Sequence, residues 1–155
     1  MNTRAVRYHD ISCGHRVVGH ESKCAHLHGH NYRIHFHVEC ATGLDALGRV
    51  MDFSVIKYRL CDWLENEWDH HFIYWEDDPV MCNLHTWVDE GTEPNDPDWT
   101  KASNSFVIVG FNPTAENMAE HLLTVVGPAQ LAGTGVTLVG VRVEETRKCS
   151  VEVWL

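Results

Sequence analysis

The sequence predicts an α+β domain of four strands and two helices in the order ββααββ. Three observations carry this: a strictly alternating apolar–polar stretch early in the chain, two helix-period segments in its middle, and two further strand-like runs at its end. With 155 residues the chain is read as one domain, 1–155, with a single core.

From Asn31 to Cys40 every second residue (Tyr32, Ile34, Phe36, Val38, Cys40) is apolar and the residues between (Arg33, His35, His37, Glu39) are polar, the pattern of a half-buried strand. Residues 5 to about 12 read more weakly as a strand, and the loop between the two contains Gly14, Gly19, Gly29 and most of the histidines. After turns at Thr42-Gly43 and Leu47-Gly48, Ile56, Leu60, Trp63 and Leu64 recur at helical spacing within 55–68, with Asp52 or Ser54 as the expected N-cap. A second helix is expected after Thr114 as N-cap, with Met118, His121, Leu122 and Val125 on one face and Gly127-Pro128 as its stop. A short strand within 105–111 precedes it, and strands at 136–144 and 149–154 follow. Residues 76–104 carry eight acidic residues (76, 77, 78, 89, 90, 93, 96, 98) against one basic residue, Lys101. With Pro79, Pro94, Pro97 and no clear periodicity, this segment reads as an acidic surface insertion that leaves the sheet untouched.

A formal charge of −10 argues against a nucleic-acid-binding surface, which needs a basic patch to displace counterions. No apolar run approaches the ~18 residues of a membrane helix, and the N-terminal residues lack the apolar core of a signal peptide, so a cytoplasmic protein is expected. There the six cysteines should be thiols. Twelve histidines is the outlying count, and eight of them (9, 15, 20, 26, 28, 30, 35, 37) fall in the first forty positions, which directs attention to chemistry in that region.

His28-Gly29-His30 places two imidazoles at i and i+2, on one side of an extended segment. A catalytic zinc site takes three protein ligands and keeps a fourth position open. His15 is the best third ligand, because antiparallel pairing of the first two strands brings it beside the pair. Cys24 is either a fourth ligand that closes a structural site or a base, since the thiolate is favoured beside a metal ion and imidazoles. Asp69-His70-His71 supplies a carboxylate-oriented imidazole able to shuttle a proton, or simply histidines at a helix C-terminus.

The segments Cys13-Gly14-His15-Arg16, Cys24-x3-His28-Gly29-His30-Asn31-Tyr32, Val50-Met51-Asp52-Phe53, Asp69-His70-His71, Asn112-Pro113-Thr114-Ala115-Glu116-Asn117 and Val143-Glu144-Glu145-Thr146 together resemble the 6-pyruvoyltetrahydropterin synthase and 6-carboxytetrahydropterin synthase family. Residues 76–105 match nothing in that core pattern. The resemblance implies the tunnelling fold, two antiparallel helices on one face of a four-stranded antiparallel sheet. It also implies a homo-oligomer, a hexamer built as a dimer of trimers, with active sites shared between subunits.

Carried over by position, His15, His28 and His30 would bind Zn²⁺ and Cys24 would abstract a proton. Asp69 and His70 would complete its relay from a neighbouring chain, and Glu145 would anchor the pterin ring with help from Thr114. A carboxylate suits that role because it accepts two parallel hydrogen bonds from the ring's adjacent N–H donors. The three-residue gap between Cys24 and His28 resembles the 6-carboxytetrahydropterin branch. The implied reaction converts 7,8-dihydroneopterin triphosphate to 6-carboxy-5,6,7,8-tetrahydropterin, acetaldehyde and triphosphate, toward queuosine and other 7-deazaguanines. Arg16 or Lys23 would meet the triphosphate. The alternatives are the pyruvoyl reaction and a non-catalytic zinc or pterin-binding module; a cupin-type site fits poorly with two mid-chain helices.

Overall fold

The computed structural model describes residues 3–91 and 95–155; Met1, Asn2 and, in the acidic segment, Glu93 and Pro94 lie outside the described residues. Strand β1 (Arg4–His15) pairs antiparallel with β2 (His28–Cys40) along its whole length, so the weakly patterned first strand extends far enough to end on His15. Helix α1 starts at Asp52, whose carboxylate accepts the Ser54 N–H, and runs through Phe53–Ile56, a π-helical turn Lys57–Cys61, and Asp62–Glu67. Next come β3 (Phe72–Trp75), α2 (Pro79–Glu90), α3 (Pro97–Ser103) and β4 (Phe106–Val109). Helix α4 comprises Ala115–His121, a π-helical turn Leu122–Val126 and Gly127–Gln130; β5 (Val136–Glu144) and β6 (Ser150–Trp154) complete the chain.

The sheet order is β4-β3-β1-β2-β5-β6. Its four long-range partners β1-β2-β5-β6 are antiparallel, as the resemblance implies. Tyr32, Ile34, Phe36 and Val38 are fully buried on one face, in a single core with Ile56, Leu60 and Leu64 of α1 and Met118, Leu122 and Val126 of α4. Each such side chain is worth about 1.5–3 kcal/mol when buried. A one-residue slip of β2 would turn His35 and His37 into that core, so the alternation fixes the register that places His28 and His30. The opposite face is polar, with Arg33 bidentate on Asp10 and His35 on Glu144.

Two expectations change. Val125 is exposed and Val126 is buried, because the π-helical turn spends an extra residue and moves the inward face on by one position. The same helix runs past Gly127-Pro128, with Pro128 accommodated directly after the π-helical turn. A Cβ on Gly127 would lie 2.5 Å from Leu138 Cδ2, so only glycine allows the helix to sit this close to β5.

The acidic segment is also more ordered than its sequence suggests. It is a helical crossover between two parallel strands: β3 pairs with β4, and β3 with the end of β1, so the sheet has six strands instead of four. Pro79 starts a helix where it was read as a breaker. Asp78 caps that helix, accepting the Val80 and Met81 N–H groups, and Met81 and Val88 are buried beneath it. Asp78 is itself fully buried and lies 3.0 Å from the Arg16 guanidinium. The pair is too poorly aligned for a hydrogen bond, so charge alone joins α2 to the residue after His15.

Candidate metal centre and active site

The β1–β2 register sets His15 opposite His28 and Cys13 opposite His30. Between them Gly14 faces Gly29, where a Cβ would come within 2.9 Å of the Cys13 carbonyl; glycine lets the two strands close on each other here. One ring nitrogen from each of His15, His28 and His30 falls within 4.8 Å of the others. His15 is buried, and its Nδ1–H donates to the Pro113 carbonyl at 2.7 Å; the His28 Nδ1–H donates to the His26 carbonyl at 2.7 Å. Both Nε2 atoms are then acceptors, yet they stand 3.1 Å apart. The His30 Nε2 is buried with no hydrogen-bond partner. Burial lowers the pKa of His15 and of His30 and so favours their neutral form. Neutral imidazoles with converging lone pairs and backbone-fixed tautomers fit a divalent metal, which would supply the missing positive partner.

Glu145 Oε1 lies 3.6 Å from His15 Nε2 and 3.7 Å from His30 Nε2, and the buried Tyr32 hydroxyl donates to it at 3.3 Å. Burial raises the Tyr32 pKa, which keeps that hydroxyl a donor. Glu145 also lines a cavity of about 550 Å³ together with Cys24, Thr114, Glu116 and Lys148, a volume suited to a small organic ligand. Cys24 sits half-buried on a one-turn 3₁₀ segment, Lys23–Ala25, whose carbonyl at position 24 accepts the Val17 N–H at 2.8 Å. Cys24 lines that cavity and, among the described residues, lies outside the three-histidine cluster. Burial pushes the neighbouring Cys13 thiol up to about 12, which removes it from chemistry near neutrality.

The Asn112–Asn117 motif acts as a brace. Asn112 holds the Val18 N–H and carbonyl through its side-chain amide, both at 2.9 Å, and Pro113 holds His15. The Thr114 hydroxyl accepts the Asn117 N–H at 3.2 Å and caps α4. Asn112, Pro113 and Glu116 were not read as site residues. The signal for all three was their position within a motif of which only Thr114 was used.

Asp69 Oδ1 accepts the Ser12 N–H at 2.8 Å and its Oδ2 accepts the His70 Nδ1–H at 2.6 Å. Burial pulls the Asp69 pKa upward, but these two bonds outweigh it and hold the carboxyl below its usual value. His70 has φ 58°, which turns its ring outward to 81% exposure. His71 is turned back, its Nδ1–H on the Asp69 carbonyl, so the carboxylate serves His70. The dyad borders a different cavity from Cys24, one lined by Ser12, Asn31, Tyr32, Arg33 and Arg147.

The sequence model described as 6-pyruvoyl tetrahydropterin synthase matches residues 5–155. The chain belongs to that family. A Rickettsia felis protein named 6-carboxy-5,6,7,8-tetrahydropterin synthase is 32% identical over 150 residues, 97% of this chain and 99% of the relative. Its Rickettsia typhi counterpart is 31% identical over the same span. Among solved structures, the uncharacterized WS1659 of Wolinella succinogenes superposes with a TM-score of 0.84 at 26% identity, covering 99% of this chain and 98% of that one. Caenorhabditis elegans 6-pyruvoyl tetrahydropterin synthase shares the fold, with a TM-score of 0.65 at 19% identity over 100% of this chain and 96% of the other. None of the described helices is long and apolar enough to cross a membrane.

Proposed function

We propose that the chain is a zinc-dependent 6-carboxy-5,6,7,8-tetrahydropterin synthase. It acts on 7,8-dihydroneopterin triphosphate and releases acetaldehyde and triphosphate, in the cytoplasm, on the route to queuosine and other 7-deazaguanines. The observation that carries the reading is the three-histidine cluster joined through Glu145 to the cavity that holds Cys24. The name of the Rickettsia relatives supports the carboxy branch over the pyruvoyl branch, as does the three-residue gap before His28. A closed structural site, the non-catalytic alternative, is disfavoured because Cys24 stands outside the ligand cluster.

His15, His28 and His30 are the proposed zinc ligands. A zinc ion held by them would supply Lewis-acid polarisation to a bound substrate. Cys24 takes a proton from a carbon of that substrate. Asp69 fixes the His70 tautomer, so His70 Nε2 is the atom that receives and returns a proton. Because the dyad and Cys24 border separate cavities of one chain, the proposed site is completed between subunits of a homo-oligomer, as in a dimer of trimers. Glu145 is the proposed acceptor for the pterin N–H pair, with Thr114 on the same wall and Glu116 offering a second carboxylate.

Purified protein loaded with Zn²⁺ and given 7,8-dihydroneopterin triphosphate should yield 6-carboxytetrahydropterin and acetaldehyde, identified by chromatography and mass. Pyruvoyltetrahydropterin as the main product would transfer the chain to the other branch, and no pterin product at all would end the enzyme reading.

A further inference from the structure

Half of the twelve lysines and arginines of this acidic chain are paired with its own carboxylates. Arg16, Arg33, Arg49, Lys57 and Arg142 each have a carboxylate oxygen within 3.5 Å, and Arg4 pairs with Glu39. Of the two expected to meet a triphosphate, Arg16 is paired with Asp78, and neither Arg16 nor Lys23 lines the Cys24 cavity. Lys148 does line it, and among the described residues no carboxylate pairs with it.

Its position is fixed. The β5–β6 turn is tied at its base by the Glu145 N–H to the Cys149 carbonyl at 3.1 Å. Its tip is folded by the Thr146 hydroxyl, which accepts the Lys148 and Cys149 N–H groups at 3.2 Å each. One turn therefore presents Glu145 toward the histidine cluster and, three residues later, an exposed ammonium on the wall of the same cavity. Glu116 and Glu145 give that cavity a negative lining, which repels a polyphosphate unless a local cation offsets it. Resting on the pterin reading above, we infer that Lys148 is the residue that binds the polyphosphate chain of the substrate and sets the preference for the phosphorylated over the unphosphorylated pterin.

Lys101 is the control: it has the same charge, is exposed on α3 and borders neither the Cys24 cavity nor the cavity of the Asp69–His70 dyad. The test measures Kd for neopterin triphosphate and for neopterin by pterin fluorescence, on zinc-loaded wild type and on Lys148→Ala, Lys148→Arg and Lys101→Ala. Wild type should bind the triphosphate at least about tenfold more tightly than neopterin, as expected of a charge-assisted contact in a partly enclosed site. Lys148→Ala should reduce that ratio to about threefold or less, Lys148→Arg should restore it, and Lys101→Ala should keep it. An unchanged ratio in Lys148→Ala, or an equal loss in Lys101→Ala, overturns the assignment, the second because it would mean diffuse charge. A second arm titrates inorganic tripolyphosphate calorimetrically, with zinc content verified afterwards. If neither pterin binds, the pterin reading fails, while the tripolyphosphate arm still decides this one: binding lost in Lys148→Ala supports it, and absent or unchanged binding refutes it.

Discussion

The Nδ1–H of His15 donates to the carbonyl of Pro113, 98 positions along the chain, and this bond turns the Nε2 of His15 toward His28 and His30. Metal affinity should therefore depend on the three imidazoles and not on Cys24. Alanine at 15, 28 or 30 should abolish stoichiometric zinc, whereas Cys24→Ala should keep one zinc per chain and lose about 10³-fold in kcat, in the range for removing a proton-transfer group. Metal analysis beside steady-state kinetics checks both halves; zinc lost in Cys24→Ala would make it a ligand.

Separation of Cys24 from the Asp69–His70 dyad within one chain predicts complementation. Cys24→Ala and His70→Ala should each be inactive alone. When the two are unfolded together and reassembled, about a quarter of the sites should regain both groups if each symmetric site draws one from each neighbour. No recovery in a properly assembled mixture would place both groups of a working site on the same chain.

Asp78→Ala should cost about 3 kcal/mol, because breaking a buried charge pair strands the remaining partner and here also removes a helix cap. Arg16→Ala with Asp78→Ala should cost clearly less than the sum of the two single changes. Denaturant melts of all three variants measure it, and additivity would show that the pair does not interact.

Burial lowers the pKa of His15, His30, His37 and His121 from 6.5. As pH falls through that value the unfolded chain binds protons that the folded chain refuses, so stability rises with pH across this window and is lost below it. Metal-free protein should show its highest Tm above pH 7 and a falling Tm from pH 7 to pH 5. The depressed carboxyls Asp10 and Asp69 add a further loss only below about pH 4. A Tm that stays level from pH 7 to pH 5 would contradict the burial argument.

The π-helical turn in α4 gives the sharpest packing test. Val126→Ala should cost about 2 kcal/mol, and Val125→Ala should stay within about 0.5 kcal/mol. Equal costs would restore the ordinary helical face.

What the sequence made legible follows from periodicity and spacing. Alternation over 31–40 sufficed to place β2, and with it the side of the sheet on which His28 and His30 project; His15 followed from antiparallel pairing. Val125 was misjudged because a π turn leaves no mark in a pattern read at 3.6 residues. The short strand expected within 105–111 is β4, but β3 is four residues, too short for alternation to register, and the parallel pairing of both depends on neighbours distant in sequence. Asp78 looked like one acid among eight; its burial opposite Arg16 is purely tertiary. Lys148 was likewise invisible until the fold set it on the wall of the Cys24 cavity.

The contact between Arg16 and Asp78 makes two stretches of the chain depend on each other. Replacing Asp78 alone would strand the Arg16 guanidinium next to His15, and replacing Arg16 alone would strand a fully buried carboxylate, so either single change is costlier than the two made together. Positions 16 and 78, far apart in sequence, are therefore expected to change together or not at all.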